Sequence, residues 1–134
     1  MTLQDVVTDT FQPNLLRMDV EGHEVEILSQ LAEISENQVV SPNVIFETHL
    51  SRYTPDHDFA PVLRKLFDIG YTVTKAASSN EAGTKIISEL GYKGSEAFYS
   101  DFTHRVIFDN IHNDDAINLI CQTGGLRTVL LEKI

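Results

Sequence analysis

The chain has one cysteine, no tryptophan, and ten basic residues against twenty acidic ones in 134 positions. With Cys121 alone, an internal disulfide and a thiolate cluster for zinc are both excluded, and the residue reads as a small apolar side chain in a helix. The formal charge of -10 repels phosphate backbones and anionic bilayers, which argues against nucleic-acid and membrane partners. No run approaches the roughly 20 apolar residues of a membrane span, and Met1 to Thr10 shows no basic flank leading into an apolar stretch. A cytoplasmic protein is expected. The glycines never fall as Gly-x-Gly, and Gly124-Gly125 follows a helical pattern instead of opening one, so no phosphate-cradling loop is legible. No His-x-x-x-His spacing occurs either, and no zinc site is expected. Repeats, low-complexity tracts and Gly/Pro/Ser-rich linkers are missing too, which predicts one domain over residues 1–134.

What is present is a succession of apolar runs. Leu15 to Val20 and Val44-Ile45-Phe46 are apolar on nearly every residue, as strands covered on two faces are. Between them Ile27, Leu28, Leu31 and Ile34 recur at helical spacing. Phe59, Val62, Leu63, Leu66 and Phe67 form a second helical stripe, with Pro61 in its first turn and Gly70 as its C-terminal cap. Tyr71 to Thr74 reads as a third strand. Strands joined by helices in this way predict right-handed crossovers and a largely parallel sheet. Further along, the pattern gives a helix over Thr84 to Leu90, a turn over Gly91 to Ser95, and a strand over Arg105 to Phe108. A helix over Asp114 to Gln122, N-capped by Asn113, precedes a last strand over Thr128 to Leu131. Pattern alone leaves the last two strands parallel or antiparallel.

In open α/β sheets the reactive crevice lies beyond the carboxyl ends of the strands. The first strand leads there to Asp19, Glu21 and Gly22, and the second to Glu47 and His49. Neighbouring strands would bring these groups to one edge, able to bind a divalent cation through oxygen or to take a proton from a hydroxyl. Plainer roles exist: Glu21 or Glu24 near a helix dipole, Gly22 as a tight turn, His49 at the surface, as His23, His57, His104 and His112 are expected to be.

The stretches LLRMDVEGHEVEIL, PNVIFETH and VLRKLFDIGYTV resemble, in order and spacing, the FkbM family of S-adenosylmethionine-dependent methyltransferases. Met1 to Val7 is similar to a segment just upstream in that family, with Gln4 where an aspartate is usual. The resemblance implies a class I, Rossmann-like methyltransferase sheet, mostly parallel and compatible with an antiparallel last strand. It also implies methyl transfer to a hydroxyl of a sugar, a polyketide or a similar small molecule. By position, Asp19, Glu21, Glu47 and His49 would be catalytic, with Asp19 and Gly22 facing S-adenosylmethionine; magnesium held by these oxygens could lower the hydroxyl's pKa.

The family's glycine-rich loop after its first strand, and the acidic residue after its second, do not occur here. The chain therefore corresponds to the C-terminal half of the domain, without the N-terminal cofactor-binding strands, and is expected to be inactive alone. The Leu15 to Val20 edge is then left open, predicting a homo-oligomer or association with a separate N-terminal half. Two other readings stay open: a non-catalytic interaction domain working through that edge, and a hydrolase or phosphotransfer domain holding magnesium on Asp19, Glu21 and Glu47.

Overall fold

The computed structural model describes residues 14–37 and 41–133. The upstream segment Met1 to Val7, and with it Gln4, lies outside the described residues. Among these residues six strands and four α-helices follow one another, with one 3-10 turn at Leu50–Arg52. They are β1 (Leu15–Met18), α1 (Glu24–Asn37), β2 (Asn43–Glu47), α2 (Ala60–Asp68), β3 (Tyr71–Ser78), α3 (Glu81–Glu89), β4 (Gly94–Ser100), β5 (Thr103–Ile111), α4 (Asn113–Cys121) and β6 (Leu126–Lys133).

Local chemistry sets the boundaries. Pro61 stands in the first turn of α2, where its missing N–H costs nothing, and the Asp58 carboxylate accepts the Ala60 N–H at 3.1 Å. Gly70, at φ 109°, turns the chain from α2 into β3. Asn80 caps α3 by accepting the Gly83 N–H at 2.8 Å. The cap expected at Asn113 is not there: Asn113 is the first residue of α4, the N-cap is His112 without a side-chain bond, and Asp114 and Asp115 face the helix dipole instead.

The strands form one mixed sheet in the order β1-β2-β6-β3-β5-β4. Among the described strands only β1 and β2 pair in parallel, and the other four pairs are antiparallel. The expected largely parallel sheet is thus corrected. β1, β2 and β3 do run the same way, as strand–helix–strand units require, but β6 and β5 enter beside β3 in the opposite sense. The sequence hid this because β4, written Gly-Ser-Glu-Ala-Phe-Tyr-Ser and exposed along nearly its whole length, has the composition of a turn. It is a strand hairpinned to β5.

The expectation of cover on both faces is corrected too. Val44, Phe46, Val73, Ala76, Phe108, Val129 and Leu131 share one face and are buried with Leu28 and Leu31 of α1, Leu63 and Leu66 of α2, Ile87 of α3 and Leu119 and Ile120 of α4. The alternate residues Ile45, Ala77, Ile107 and Leu130 are only partly covered and border an open apolar depression of about 150 Å³. No described helix packs on that side. The outer edge of β1 has no partner strand among the described residues.

Candidate functional site

Beyond Met18 the chain leaves the sheet and turns sharply before α1. Glu21 takes φ 50° and Gly22 φ 103°, a pair of left-handed residues that throws the next side chain back under the strand ends. Gly22 also admits close packing, since a Cβ there would lie 2.8 Å from the Cβ of Arg52. The result is Glu24, a carboxylate with no solvent exposure at the start of a helix. It is fully partnered. Oε2 accepts the Gly22 N–H at 2.8 Å, while Oε1 accepts the Tyr53 hydroxyl at 2.5 Å and lies 3.1 Å from His49 Nδ1. The Tyr53 oxygen in turn accepts the His49 backbone N–H at 2.9 Å. Burial first, then the bond to Glu24, pushes the Tyr53 pKa far above the usual phenol value, so Tyr53 stays a hydrogen-bond donor.

His49 completes the group. Its Nε2 is 3.3 Å from Asp19 Oδ1, and Asp19 is largely exposed. A buried carboxylate can only accept, so Nδ1 carries a proton toward Glu24 in either charge state of the ring. In the neutral ring Nε2 is then the basic nitrogen, at the solvent-facing side. If Nε2 takes a proton, the imidazolium lies between two carboxylates.

Asp19 and His49 are therefore brought together. Glu47 is not with them: at the end of β2 it meets Arg127 Nη2 at 3.3 Å, and the same guanidinium nitrogen lies 3.8 Å from Asp101. Glu21 is exposed and borders a cavity of about 400 Å³ with His23, Glu26, Arg52 and His57. There His57 Nε2 contacts Glu26 Oε1 at 2.5 Å, and His57 Nδ1 lies 2.9 Å from the Arg52 carbonyl. That carbonyl, then Glu26, raises the His57 pKa. Among the described residues no group of three or more His, Cys, Asp or Glu side chains is placed to hold a metal ion.

For S-adenosylmethionine the fit is incomplete. The acidic Asp19 rim suits a cationic sulfonium, but the cavity beside Gly22 is walled by charged and polar side chains, with no apolar slot for an adenine. The described residues thus offer an acidic rim at Asp19 beside His49 and, among themselves, no complete donor cradle.

Sequence reasoning missed Glu24 and Tyr53. A carboxylate two residues after the turn glycine, able to reach back to a free backbone N–H, was the available signal for the first. Tyr53 carried none, because its role depends on the 3-10 turn that swings it under His49. Among the described residues no helix is long and apolar enough to cross a membrane.

Neither a curated protein nor a solved structure matches the chain. A family model does: the Methyltransferase FkbM domain matches residues 1–73, a span that holds Asp19, Gly22, Glu24, His49 and Tyr53, and the chain belongs to that family.

Proposed function

We propose that this chain supplies the acceptor side of an S-adenosylmethionine-dependent O-methyltransferase, with His49 as the general base for a hydroxyl of a sugar, polyketide or similar small molecule. The observation that carries the reading is the placement of the His49 ring, Nδ1 at 3.1 Å from buried Glu24 and Nε2 at 3.3 Å from Asp19. Family membership supplies the methyl donor. Glu24 fixes the ring and its tautomer, and Nε2 takes the hydroxyl proton as the oxygen becomes a nucleophile. Asp19 stabilises the imidazolium. Glu21 and Gly22 shape the turn that sets Glu24, and Glu47 holds Arg127 at the neighbouring strand end.

The test is release of S-adenosylhomocysteine, with a panel of sugar and polyketide alcohols, by this chain mixed with the N-terminal cofactor-binding half of an FkbM-family domain. His49→Gln is expected to lower the rate about 10²- to 10⁴-fold, the usual share of a general base. Equal rates for the variant and the parent would remove His49 from the chemistry.

The edge of β1, unpartnered among the described residues and with Leu15 52% exposed, favours a second reading. Here the chain is an interaction module that pairs through this edge with a second copy of itself, and is inactive as a monomer. Native mass spectrometry at about 10 µM then shows dimers, and titration with S-adenosylhomocysteine, with or without magnesium, gives no heat for the monomer. A strictly monomeric species, or tight binding by it, refutes this reading.

A further inference from the structure

At the edge of the sheet farthest from β1, the outer side of β4 has no partner strand among the described residues. Exposed edges are normally blunted by lysine, proline or a bulge. A bulge does stand between Gly94 and Glu96, but the stretch from Ala97 to Ser100 is regular and holds neither a charge nor a proline. It is also aromatic. Phe98 is 38% exposed, Tyr99 60%, and Phe102, in the turn just beyond, 94%.

The turn fixes which backbone groups are free. Asp101 and Phe102 take φ 49° and 63°, the left-handed pair of a two-residue hairpin loop. In such a loop the residues beside the turn, here Ser100 and Thr103, exchange both backbone hydrogen bonds, and bonded and non-bonded pairs alternate from there. Phe98, opposite Arg105, therefore points its N–H and C=O at β5. Ala97 and Tyr99, opposite Val106 and His104, turn theirs outward. Tyr99 is steadied from behind by His104, ring to ring at 5.0 Å.

Ala97 and Tyr99 stand symmetrically about Phe98, and that symmetry selects the occupant. A second copy laid antiparallel on a two-fold axis at Phe98 brings Ala97 of each chain opposite Tyr99 of the other, so that each outward N–H meets an outward C=O. The two Phe98 rings then meet at the axis as close cross-strand neighbours. Glu96 falls opposite Ser100, whereas an axis at Glu96 would set two carboxylates face to face. Phe102 reaches past the strand end toward Gly94 of the second copy, where no side chain stands in its way. The exposed parts of the three rings and the strand that carries them would hide on the order of 500 Å² per copy, about 1,000 Å² in all, which is where specific interfaces begin.

We propose that β4 is a self-association surface, on which two copies of the chain pair antiparallel about Phe98 and continue one sheet into the other. The small area sets the affinity at about 10–100 µM. The surface is separate from His49 and from the β1 edge, which lies across the sheet.

The test is sedimentation velocity of the whole chain from about 1 to about 300 µM, which is expected to pass from monomer to dimer over that range. Phe98→Lys sets two ammonium groups against each other at the axis, and Ala97→Pro removes an outward N–H without touching the β5 ladder. Each is expected to weaken the dimer at least about tenfold while circular dichroism stays that of the parent; they act by different routes, so one that does not fold leaves the other to decide. Leu15→Lys, on the β1 edge, is expected to leave the dimer unchanged. A monomer at the highest concentration, or a dimer that the β4 variants keep, would overturn the proposal. A dimer lost with Leu15→Lys and kept by the β4 variants would do so as well, and would assign the contact to β1.

Discussion

Replacing Glu24 by glutamine keeps the shape of the side chain and removes its charge. The carboxylate accepts from the Gly22 N–H and the Tyr53 hydroxyl and faces His49 Nδ1. An amide has one oxygen, so at least one donor must face an NH₂ group. Each hydrogen bond to a charged group contributes about 1.5–3 kcal/mol net, and a buried donor left unmade costs about 1–3 kcal/mol. Against this, the variant escapes the desolvation cost of a buried carboxylate, several kcal/mol in its own right. The balance is a loss of about 2–4 kcal/mol. At ~2.1 cal/mol/K of unfolding entropy per residue, a 134-residue chain loses ~10 °C of melting temperature for 3 kcal/mol. Thermal and urea unfolding followed by circular dichroism read both quantities. Tyr53→Phe should cost less, about 1–2 kcal/mol, and the double variant should show less than the sum, since the two share a bond. A loss below about 0.5 kcal/mol for Glu24→Gln, as a surface change gives, would refute the idea that this carboxylate is the keystone of the strand-end turn.

Gly22→Ala is expected to destabilise by about 1–3 kcal/mol through its positive φ and the approach of Arg52; Arg52→Gly should restore only the part due to contact. Phe59→Ala, which removes a fully buried ring lying 5.6 Å from Phe46 and 5.0 Å from Tyr53, should cost about 3–5 kcal/mol in urea unfolding. His57 should titrate above its ordinary 6.5 in ring-proton NMR, because the Arg52 carbonyl and Glu26 favour the protonated ring. Its contribution to stability is therefore complete below the unfolded value and lost as pH rises through the folded one; an unshifted midpoint, or one that Glu26→Gln leaves in place, contradicts the pairing. Burial, then Asp58, pushes the Cys121 thiol up to about 12, so thiol reagents at pH 8 should react with it slowly until the chain is unfolded in urea.

The elements with a strong apolar period were legible. The helix stripe from Phe59 to Phe67, the strand pair at Leu15 and Val44, and the glycine stop at Gly70 all appear where their side-chain spacing puts them. Strand sense was not, because a run such as Val129-Leu130-Leu131 is apolar whichever way it runs, and a run such as Gly94 to Ser100 lacks an apolar face to betray it. At the site, Asp19 and His49 could be placed together from their positions after adjacent strands. Glu47 could not be separated from them, since its Arg127 partner lies 80 residues away in the chain. Glu24 looked like a helix-dipole residue, and only the turn at Glu21 and Gly22 shows why it is buried instead.

One feature of the topology bears on how the molecule is made. β6, whose residues leave the ribosome after those of every other described strand, is the only link in the sheet between the β1-β2 pair and the β3-β5-β4 group. Until residue 133 emerges, those two groups are separate flaps with raw edges and half a core between them. Closure must wait for β6, and it joins partners as distant as Val44 and Leu131. Nascent molecules thus expose unpaired strand edges until β6 joins them.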